Sequence, residues 1–379
     1  MPHHLAILTD FPEEGWRSMD LCGDMLLDHL PREGPFAVEA ARLCPPFNRL
    51  ATRLPVVGRR HAAFNADRLL NRFILFPRFA RQAVRRFDLF HVADHSYGQL
   101  VHALPAARTG VYCHDVDAFR CLFDQGAYPR PRWFRAMSQR ILTGLRKAAV
   151  VFHNTEAVGE EIRRAGLIDP DRLVHAPLGV APEFTPGTIQ PAVELPWLAE
   201  LGGRPWVLHV GTCNKRKRID VLLDVVAAVR QTVPDLRLIK VGGEWTADHR
   251  ERIARLGLAG AITHVCGLTR AELAEVHRRA PVVLMPSEAE GFGLPVVEAL
   301  ACGAAVVASD IPALREAGGP AAAYAPVGDV GAWSDVVATL LTDPAAAPPR
   351  ADRLAWAGRF TWTAHAEIIA RAYHRLLVN

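Results

Sequence analysis

Two glutamates frame a glycine-containing turn in the second half of the chain. Glu290 and Glu298 belong to the segment Pro286-Ser-Glu-Ala-Glu-Gly-Phe-Gly-Leu-Pro-Val-Val-Glu298. The glycines let the backbone approach a ligand closely, and a helix starting at Pro295 would direct free N–H groups towards an anion. Glu298, expected in the first turn of that helix, could accept hydrogen bonds from two adjacent hydroxyls, as a ribose offers. Each glutamate alone would also suit a surface acid or a helix-dipole partner; together they predict a ligand site.

A cationic loop is the second candidate. Lys215, Arg216, Lys217 and Arg218 follow the predicted strand Trp206–Val210 and precede a helical pattern. Such a cluster at the carboxyl edge of a sheet suits a pyrophosphate, which needs about two compensating charges. A solvated basic loop or a nucleic-acid patch is the alternative. Residues 191–379 carry twenty basic and twenty acidic residues and no nucleic-acid recognition motif, which argues against nucleic acid.

The first half offers a histidine–aspartate pair. His114 and Asp115 follow the predicted strand Gly110–Cys113, at the strand end where ligands of parallel sheets bind. A lone histidine is more often structural, but this position favours a functional role. His95 and Ser96 follow the strand Leu89–Val92 and are candidates for contact with a ligand. Asp115-Val-Asp117 spells a D-x-D pattern that holds a metal in a different fold; we expect no metal here.

The elements that position these residues alternate between β-branched runs and helical patterns, which predicts an α/β architecture with parallel sheets. Predicted strands are Leu5–Leu8, Leu89–Val92, Gly110–Cys113, Val150–His153, Trp206–Val210, Leu236–Val241, Ile262–Val265, Val282–Met285 and Ala305–Ala308. Predicted helices are Ser138–Leu145, Glu156–Ala165, Asp220–Arg230, Arg250–Leu256, Ala271–Arg279, Pro295–Ala301, Val330–Leu341 and Thr363–Leu377.

The chain of 379 residues is long enough for two doubly wound domains facing across a cleft. A Pro- and Gly-rich stretch over residues 183–205 is the candidate linker. No apolar run approaches the roughly eighteen residues that span a bilayer, and the N-terminus lacks the pattern of a secretory signal. Seven scattered cysteines indicate reduced thiols in a cytoplasmic protein.

Positive charge is concentrated in the first half. Residues 42–86 contain eleven arginines and one acid, Asp67, a net charge of +10, and residues 132–147 contain five cations and no acid. Large apolar residues are interleaved with both stretches. This combination suits an anionic membrane surface or the mouth of a lipid-phosphate site. The same apolar residues could instead pack on the core, and both interpretations stay open.

The second half resembles the retaining glycosyltransferases of family 4. Glu290 and Glu298 match the family's E-x7-E pattern within Pro286–Gly303, and Gly211 with Arg216-Lys217 resembles its donor-phosphate element. Further matching segments are Val241-Gly-Gly, Val265-Cys-Gly267, Val306–Asp310 and Pro177-Leu-Gly-Val180. The resemblance covers nearly the whole chain and is most specific in the C-terminal half.

The resemblance implies a GT-B fold. An acceptor-binding domain would span residues 1–190 and a donor-binding domain residues 191–360. The last segment, residues 361–379, would be a helix that crosses back to the first domain.

The resemblance also implies site residues. Lys217 and Arg216 would bind the pyrophosphate and Glu298 the ribose, with Val265 near the nucleobase. Glu290 and the backbone of Gly291, Phe292, Gly293 and Leu294 would contact the transferred sugar. His114 with Asp115 would lie near the reaction centre, and His95 with Ser96 would be candidates for contact with the acceptor. The first loop departs from the family's glycine-rich pattern. Gly15 could still approach the phosphates, whereas Glu13 and Glu14 must point away or serve the acceptor. Ala181 replaces an aspartate frequent in the family, so any polar role there is absent.

The implied activity is transfer of a hexose from a UDP- or GDP-linked sugar, with retention, to a glycan or lipid-linked acceptor and without a cofactor. The protein would be cytoplasmic, with a peripheral place on the inner face of a membrane as one option, and would act in cell-surface polysaccharide or glycolipid biosynthesis. Two alternatives share the fold. One is a sugar-nucleotide epimerase, and the other is a non-catalytic nucleotide-sugar-binding subunit of a glycan assembly complex. A nicotinamide dehydrogenase is disfavoured because no G-x-G-x-x-G follows the first strand.

Overall fold

The computed structural model describes residues 3–54, 61–187 and 195–378. Arg59, Arg60 and the predicted domain boundary at residues 190 and 191 lie outside these ranges. The chain divides into two compact units. Met1–Gly179 with Trp362–Asn379 forms the first unit, and Val180–Thr361 forms the second. The described part of the predicted linker, 183–187 and 195–205, therefore belongs to the second unit.

The first unit is built on a parallel sheet of six strands in the order β2-β1-β3-β4-β5-β6. The strands are β1 His3–Leu8, β2 Val38–Leu43, β3 Leu89–Val92, β4 Thr109–Cys113, β5 Val150–His153 and β6 Leu173–His175. The central strands β3, β4 and β5 are buried along their whole length, as expected for strands covered by helices on both faces. The two strands not predicted from the sequence, β2 and β6, are the edge strands, and both are partly exposed.

Helices of the first unit surround this sheet. They are α1 Arg17–His29, α2 His61–Leu70, α3 Phe76–Ala83, α4 Arg120–Phe123, α5 Arg132–Lys147 and α6 Glu156–Arg164. A π-helical turn, Asn71–Leu75, joins α2 to α3, and a 3-10 helix, His95–Ala103, follows β3. The core beneath them includes Phe76, Phe90, Tyr97, Ile141 and Leu145. Part of the basic stretches therefore packs inward.

The second unit repeats the plan with the strand order β12-β11-β10-β7-β8-β9. Its strands are β7 Trp206–Val210, β8 Arg237–Val241, β9 Ile262–Val265, β10 Val282–Met285, β11 Ala305–Ser309 and β12 Ala323–Ala325. The sequence predicted all of them except β12, the short edge strand. Four of these strands, β7, β8, β10 and β11, are buried along nearly their whole length, so their sequences are continuous apolar runs that are easy to recognise.

The helices of the second unit are α7 Pro196–Ala199, α8 Ile219–Val229, α9 Ala247–Arg255, α10 Arg270–Arg279, α11 Leu294–Cys302, α12 Pro312–Gly318, α13 Val330–Thr342 and α14 Arg350–Ala357. Three of them, α9, α10 and α13, begin at a side-chain cap. Thr246 and Thr269 start α9 and α10 in capping boxes. Gly303 ends α11 in the left-handed conformation that a glycine adopts without strain.

The last helix, α15 Trp362–Val378, packs in the first unit, as the family resemblance implies. The Tyr373 hydroxyl donates to the carbonyl of Phe90 at 3.0 Å. The His365 ring is 2.9 Å from the carbonyl of Pro177. Within the described residues, no helix combines the length and apolar character needed to cross a membrane.

Candidate functional site

The turn between β10 and α11 has the predicted backbone, with one correction. Gly293 has a φ of +98° and directly precedes α11, so the glycine is required by the backbone. The helix starts at Leu294, one residue before the predicted start at Pro295, because Pro295 occupies the second helical position. Glu298 is therefore the fifth residue of the helix, and the prediction that it lies in the first turn is wrong.

Glu290 holds both predicted phosphate-binding cations. Its Oε1 is 2.5 Å from Lys217 Nζ, and its Oε2 is 3.1 Å from Arg216 Nη1. The Ser287 hydroxyl donates to the same Oε1 at 2.7 Å. Arg216 also donates to the carbonyl of Ala289 at 3.1 Å. The loop after β7 and the loop after β10 are thereby tied together at the carboxyl edge of the sheet.

The charge of Glu290 depends on two opposing effects, its burial and the cations beside it. The Glu290 side chain is 5% exposed and that of Lys217 is 11% exposed. Burial alone would raise the Glu290 pKa, but the charges of Lys217 and Arg216 and the hydrogen bonds to that carboxylate outweigh it and lower the pKa. Glu290 is therefore ionised at neutral pH, and it orients two cations at the site where the sequence predicts a pyrophosphate.

The four cations of the loop after β7 divide into different roles. Arg218 has the left-handed φ of +48° and pairs with Asp220 at 3.0 Å and with Glu288 at 3.4 Å. Lys215 is exposed. The positive potential predicted for the whole run is thus partly compensated by acids. Lys217 and Arg216 remain the cations that face the α11 turn.

Glu298 is buried like Glu290, but no cation lowers its pKa. It is 7% exposed, and its carboxyl group has no hydrogen-bond partner in the part of the chain that the structure describes. Burial, and secondarily the negative charge of Glu183, raise the pKa of Glu298 to about 8. A buried carboxyl without a partner is costly, so this group is suited to hydroxyls supplied by a ligand.

The remaining predicted donor residues are divided between the units: Phe292 and Val265 lie in the second, and Gly15 lies in the first. Phe292 is buried, with its ring 5.6 Å from that of Phe360 in an edge-on contact. Its side chain therefore supports the turn, and only the backbone of Gly291–Leu294 is left to approach a ligand. Val265 is the last residue of β9 and is partly exposed. Gly15 has a φ of +72° and lies in the first unit, where it is exposed.

In the first unit, His114 lies directly after β4 and is buried. Its Nε2 is 2.9 Å from the carbonyl of Ala93, and because a carbonyl can only accept, Nε2 carries the proton. Burial lowers the pKa of His114 against the opposing charge of Asp94. The ring is therefore neutral, and its buried Nδ1, which has no partner, is a hydrogen-bond acceptor.

The predicted acceptor residues His95 and Ser96 are already engaged by protein groups. His95 Nδ1 is 3.1 Å from Asp94 Oδ1, and its Nε2 is 3.6 Å from Asp115 Oδ1. Burial would lower the His95 pKa, but the charge and hydrogen bond of Asp94 raise it overall. The Ser96 hydroxyl donates to Asp94 Oδ2 at 2.5 Å. Asp115 therefore faces His95, and the predicted pair with His114 becomes a wider cluster.

Sequence reasoning missed Asp10, Arg72 and Asp94, and it named Glu14 only as pointing away or serving the acceptor. Arg72 Nη2 donates to the carbonyl of Ser96, and Arg72 Nη1 is 3.4 Å from Glu14 Oε2. The Glu14 side chain is 1% exposed, so it does not point away from the protein, whereas Glu13 is exposed. Asp94, the N-cap of the 3-10 helix, was detectable as an acid two residues before Ser96.

The described side chains contain no group of three or more histidine, cysteine, aspartate or glutamate residues arranged to hold a metal ion. In the Asp115-Val-Asp117 segment, Asp117 pairs with Arg120 at 2.8 Å while Asp115 faces His95. The two carboxylates therefore serve different partners.

Both halves of the chain match models of known glycosyltransferase families. Residues 198–359 match the family described as Glycosyl transferases group 1, and residues 25–184 match Glycosyltransferase Family 4. The D-inositol 3-phosphate glycosyltransferase of Arthrobacter sp. (strain FB24) is 31% identical over 312 residues, which cover 78% of this chain and 72% of that protein. The O-antigen chain mannosyltransferase B of Escherichia coli is 29% identical over 296 residues, covering 76% and 75%. Six other relatives named D-inositol 3-phosphate glycosyltransferase are matched over 44% to 61% of their own length.

The fold has close counterparts among solved structures. The structure of Anabaena Alr3699/HepE in complex with UDP-glucose superimposes with a TM-score of 0.73 at 16% identity, covering 97% of this chain and 98% of that one. Such a likeness establishes the two-domain α/β fold of glycosyltransferases. Taken with the family matches, it leads to one assignment: the chain belongs to glycosyltransferase family 4.

Proposed function

We propose that this chain transfers a hexose from a UDP- or GDP-linked sugar, with retention of configuration, to a glycan or lipid-linked acceptor. The product would enter cell-surface polysaccharide or glycolipid biosynthesis. The observation that carries the proposal is the carboxyl edge of the second sheet. There, Glu290 orients Lys217 and Arg216, and Glu298 is buried with its pKa raised to about 8.

The donor diphosphate is assigned to the two oriented cations. Lys217 offers a compact charge and Arg216 a planar fork, and both are held by Glu290 in the loop that precedes α11. As the bond to the sugar breaks, negative charge grows on the leaving phosphate. Fixed cations and N–H groups stabilise that charge without rearrangement, which is electrostatic catalysis.

The ribose is assigned to Glu298. Its two carboxyl oxygens can each form a hydrogen bond with one of two adjacent hydroxyls, replacing the solvation that burial removes. The nucleobase is assigned to the neighbourhood of Val265, at the end of β9.

In the second unit, the transferred sugar is assigned to Glu290 and the Gly291–Leu294 backbone. In the first unit, the His114–Asp115 segment is assigned to a sugar hydroxyl. His114 is neutral with Nδ1 as an acceptor, so it orients a sugar hydroxyl and does not supply positive charge. We assign no carboxylate to a covalent double displacement, which would require one beneath the anomeric carbon. Front-face attack is the mechanism proposed, with the acceptor proton passing to the leaving phosphate.

The test is a thermal-shift panel of UDP, GDP, ADP and dTDP and their sugar conjugates. A ligand at about a hundred times its dissociation constant stabilises by roughly 2.7 kcal/mol. One nucleotide should stabilise the wild-type protein and the Lys215→Ala control, and this effect should disappear in Lys217→Ala and Glu298→Ala. If no nucleotide stabilises the wild-type protein, the donor assignment is wrong. Product NMR then tests retention, since an inverted anomeric configuration would contradict the mechanism.

We also propose that the first unit contacts an anionic membrane surface from the cytoplasmic side. Among the described residues, most large exposed apolar side chains belong to this unit, including Trp133 (62%), Ile74 (44%) and Leu69 (39%). Trp133 lies at the start of α5, whose sequence has five cations and no acid. Exposed aromatic and basic groups on one helix suit the headgroup region of a bilayer.

Vesicle co-sedimentation tests the membrane proposal. The wild-type protein should sediment with phosphatidylglycerol vesicles at low salt, and less with phosphatidylcholine vesicles. Trp133→Ser should weaken the binding, whereas Val327→Ser, a matched change of an exposed apolar residue in the second unit, should not. Equal binding to both lipids, or no binding, would contradict the proposal.

A further inference from the structure

Two free cysteines lie at the carboxyl edge of the second sheet. Cys213 follows β7 and is half-buried, whereas Cys266 follows β9 and is the exposed one of the seven cysteines, all of which the structure describes. Neither is assigned to a donor contact. Cysteine is among the residue types most often buried, and an exposed thiol is open to exchange and oxidation. The two thiols are therefore a candidate reactive site.

The loop after β8 brings groups from all three strands to one atom, the carbonyl oxygen of Gly243. Cys213 Sγ is 3.5 Å from this oxygen, and Lys240 Nζ donates to it at 3.0 Å. From β9, His264 Nε2 is 2.9 Å from it. Gly243 has a φ of +56°, and a Cβ there would lie 2.7 Å from the backbone nitrogen of Cys213. Only glycine therefore allows the loops after β7 and β8 to approach this closely.

Cys266 lies between a proton acceptor and a hydrogen-bond donor. Its Sγ is 3.7 Å from Glu244 Oε1 and 3.4 Å from His264 Nε2. That Nε2 carries the ring proton, because the Gly243 carbonyl beside it can only accept. The carboxylate can take the thiol proton, and the N–H group stabilises the thiolate that remains. A thiolate is the form of cysteine that attacks disulfides.

Cys213 lies beside a buried ammonium group. Lys240 is fully buried in β8, and its Nζ also donates to the carbonyl of Gly211 at 2.8 Å. Burial raises the pKa of Cys213, while the charge of Lys240 and its hydrogen bond to the thiol oppose that rise. Cys213 is therefore a protonated thiol at rest, and a cation is already in place for the thiolate that forms when it reacts.

We propose that Cys266 and Cys213 form a thiol pair that reacts with small-molecule disulfides and closes to an internal disulfide. The Cys266 thiolate attacks a disulfide R–S–S–R, which forms Cys266–S–S–R and releases R–S⁻. The Cys213 thiolate then attacks the Cys266 sulfur, which forms the Cys213–Cys266 disulfide and releases the second R–S⁻. Each cysteine loses one proton to solvent, and each R–S⁻ can take one up. The two thiols are oxidised by two electrons, and R–S–S–R is reduced by two.

Closure to the internal disulfide requires a local movement at the end of β9. Strand β8 separates β7 from β9, so these two strands are about 9–10 Å apart, whereas the Cα atoms of a disulfide are about 4.4–6.8 Å apart. Residues 266–269 belong to no helix or strand, and the Cβ position of Gly267 has no other atoms within 4 Å. This segment therefore has room to move across the Gly243 carbonyl towards Cys213.

Oxidation would displace two parts of the donor site, a consequence that rests on the proposed function. Val265, assigned to the nucleobase, directly precedes Cys266, and Arg216, assigned to the diphosphate, lies three residues after Cys213. A bond between the two cysteines ties these loops together and moves the end of β9 away from the base. We expect the oxidised protein to bind nucleotide at least tenfold more weakly than the reduced protein, and dithiothreitol to restore the affinity.

Incubation of the full chain with oxidised glutathione tests the thiol pair directly. Peptide mapping of the wild-type protein should show one disulfide, between Cys213 and Cys266. Cys213→Ser should keep glutathione on Cys266, and Cys266→Ser should lose no thiol. Cys44→Ser, a matched change of a half-buried cysteine in the first unit, should react like the wild-type protein. His264→Phe, which keeps a ring against Trp245, should slow the first step about tenfold.

The proposal is overturned if the wild-type protein keeps all its thiols, stops at the glutathione adduct or forms a disulfide between other cysteines. It is also overturned if Cys266→Ser loses thiols at the wild-type rate. Calorimetry with the nucleoside diphosphate selected in the thermal-shift panel tests the effect on the donor site, and equal affinity of the reduced and oxidised proteins contradicts that effect. If no nucleotide binds the reduced protein, the proposed function is wrong, and the mapped disulfide still stands.

Discussion

The carboxyl edges of the two sheets have the same architecture and opposite electrostatics. In the second unit, an ionised Glu290 is paired with Lys217 and Arg216. In the first unit, Asp10 has its pKa raised beside an ionised Asp94. The first edge also has unpaired acceptors, whereas the second has oriented cations. One fold plan thus presents oriented cations at one edge and unpaired acceptors at the other, because the residues that follow each strand differ.

The largest expected effect comes from breaking the cation–carboxylate pair of the second unit. Lys217→Ala leaves Glu290 buried beside one cation fewer, so it should destabilise the protein by about 3–5 kcal/mol and abolish nucleotide binding. Urea unfolding and calorimetry measure the two effects. The double variant Lys217→Met/Glu290→Gln should recover most of the stability without recovering binding. Unchanged stability of Lys217→Ala would show that the pair is not buried as described.

The next effect concerns Glu298 and pH. Its folded pKa of about 8 lies above the ordinary 4.5, so between these values the folded state holds a proton that the unfolded state has lost. Stability should therefore fall as pH rises through this window, by up to about 1.4 kcal/mol per pH unit. Glu298→Gln should remove this slope and be more stable than the wild-type protein by a few kcal/mol at pH 8. Parallel slopes for the two proteins would contradict the assignment.

In the first unit, Asp94→Asn should have a smaller effect. The change keeps the N-cap but removes the charge that faces His95, so we expect a loss of about 1–2 kcal/mol. The His95 pKa, raised mainly by Asp94 against burial, should fall. The stability that His95 contributes is present below its unfolded pKa and is lost as pH rises through its folded pKa. NMR titration of the ring protons measures the change. An unaltered His95 pKa would show that Asp94 does not raise it.

The smallest expected effect is that of metal removal. We predict that nucleotide binding and turnover are the same with and without EDTA, within experimental error. Lys217 and Arg216 supply the positive charge that a metal would otherwise provide. Activity assays with EDTA, and with magnesium or manganese restored, check this. Activity that is lost with EDTA and restored by magnesium would contradict the prediction.

The sequence predicted the buried strands and the Glu290–Glu298 turn because both depend on local patterns. It missed β2 and β6, whose partial exposure weakens the apolar pattern at the edges of the sheet. It also missed the Asp10–Asp94 neighbourhood, since that contact depends on the pairing of β1 with β3, 84 residues apart in sequence. The Lys217–Glu290 pair is a contact of the same kind, and no local pattern in either loop indicates it.

The ribose contact of Glu298 is tested most directly by calorimetric titration of the preferred nucleoside diphosphate and its 2′,3′-dideoxy analogue. The two ligands are titrated into the wild-type protein and into Glu298→Ala. We predict that loss of the two hydroxyls weakens binding to the wild-type protein by tenfold or more and hardly affects binding to Glu298→Ala. An equal loss in both proteins would contradict the placement of the ribose at Glu298, and with it the assignment of the second edge as the donor site.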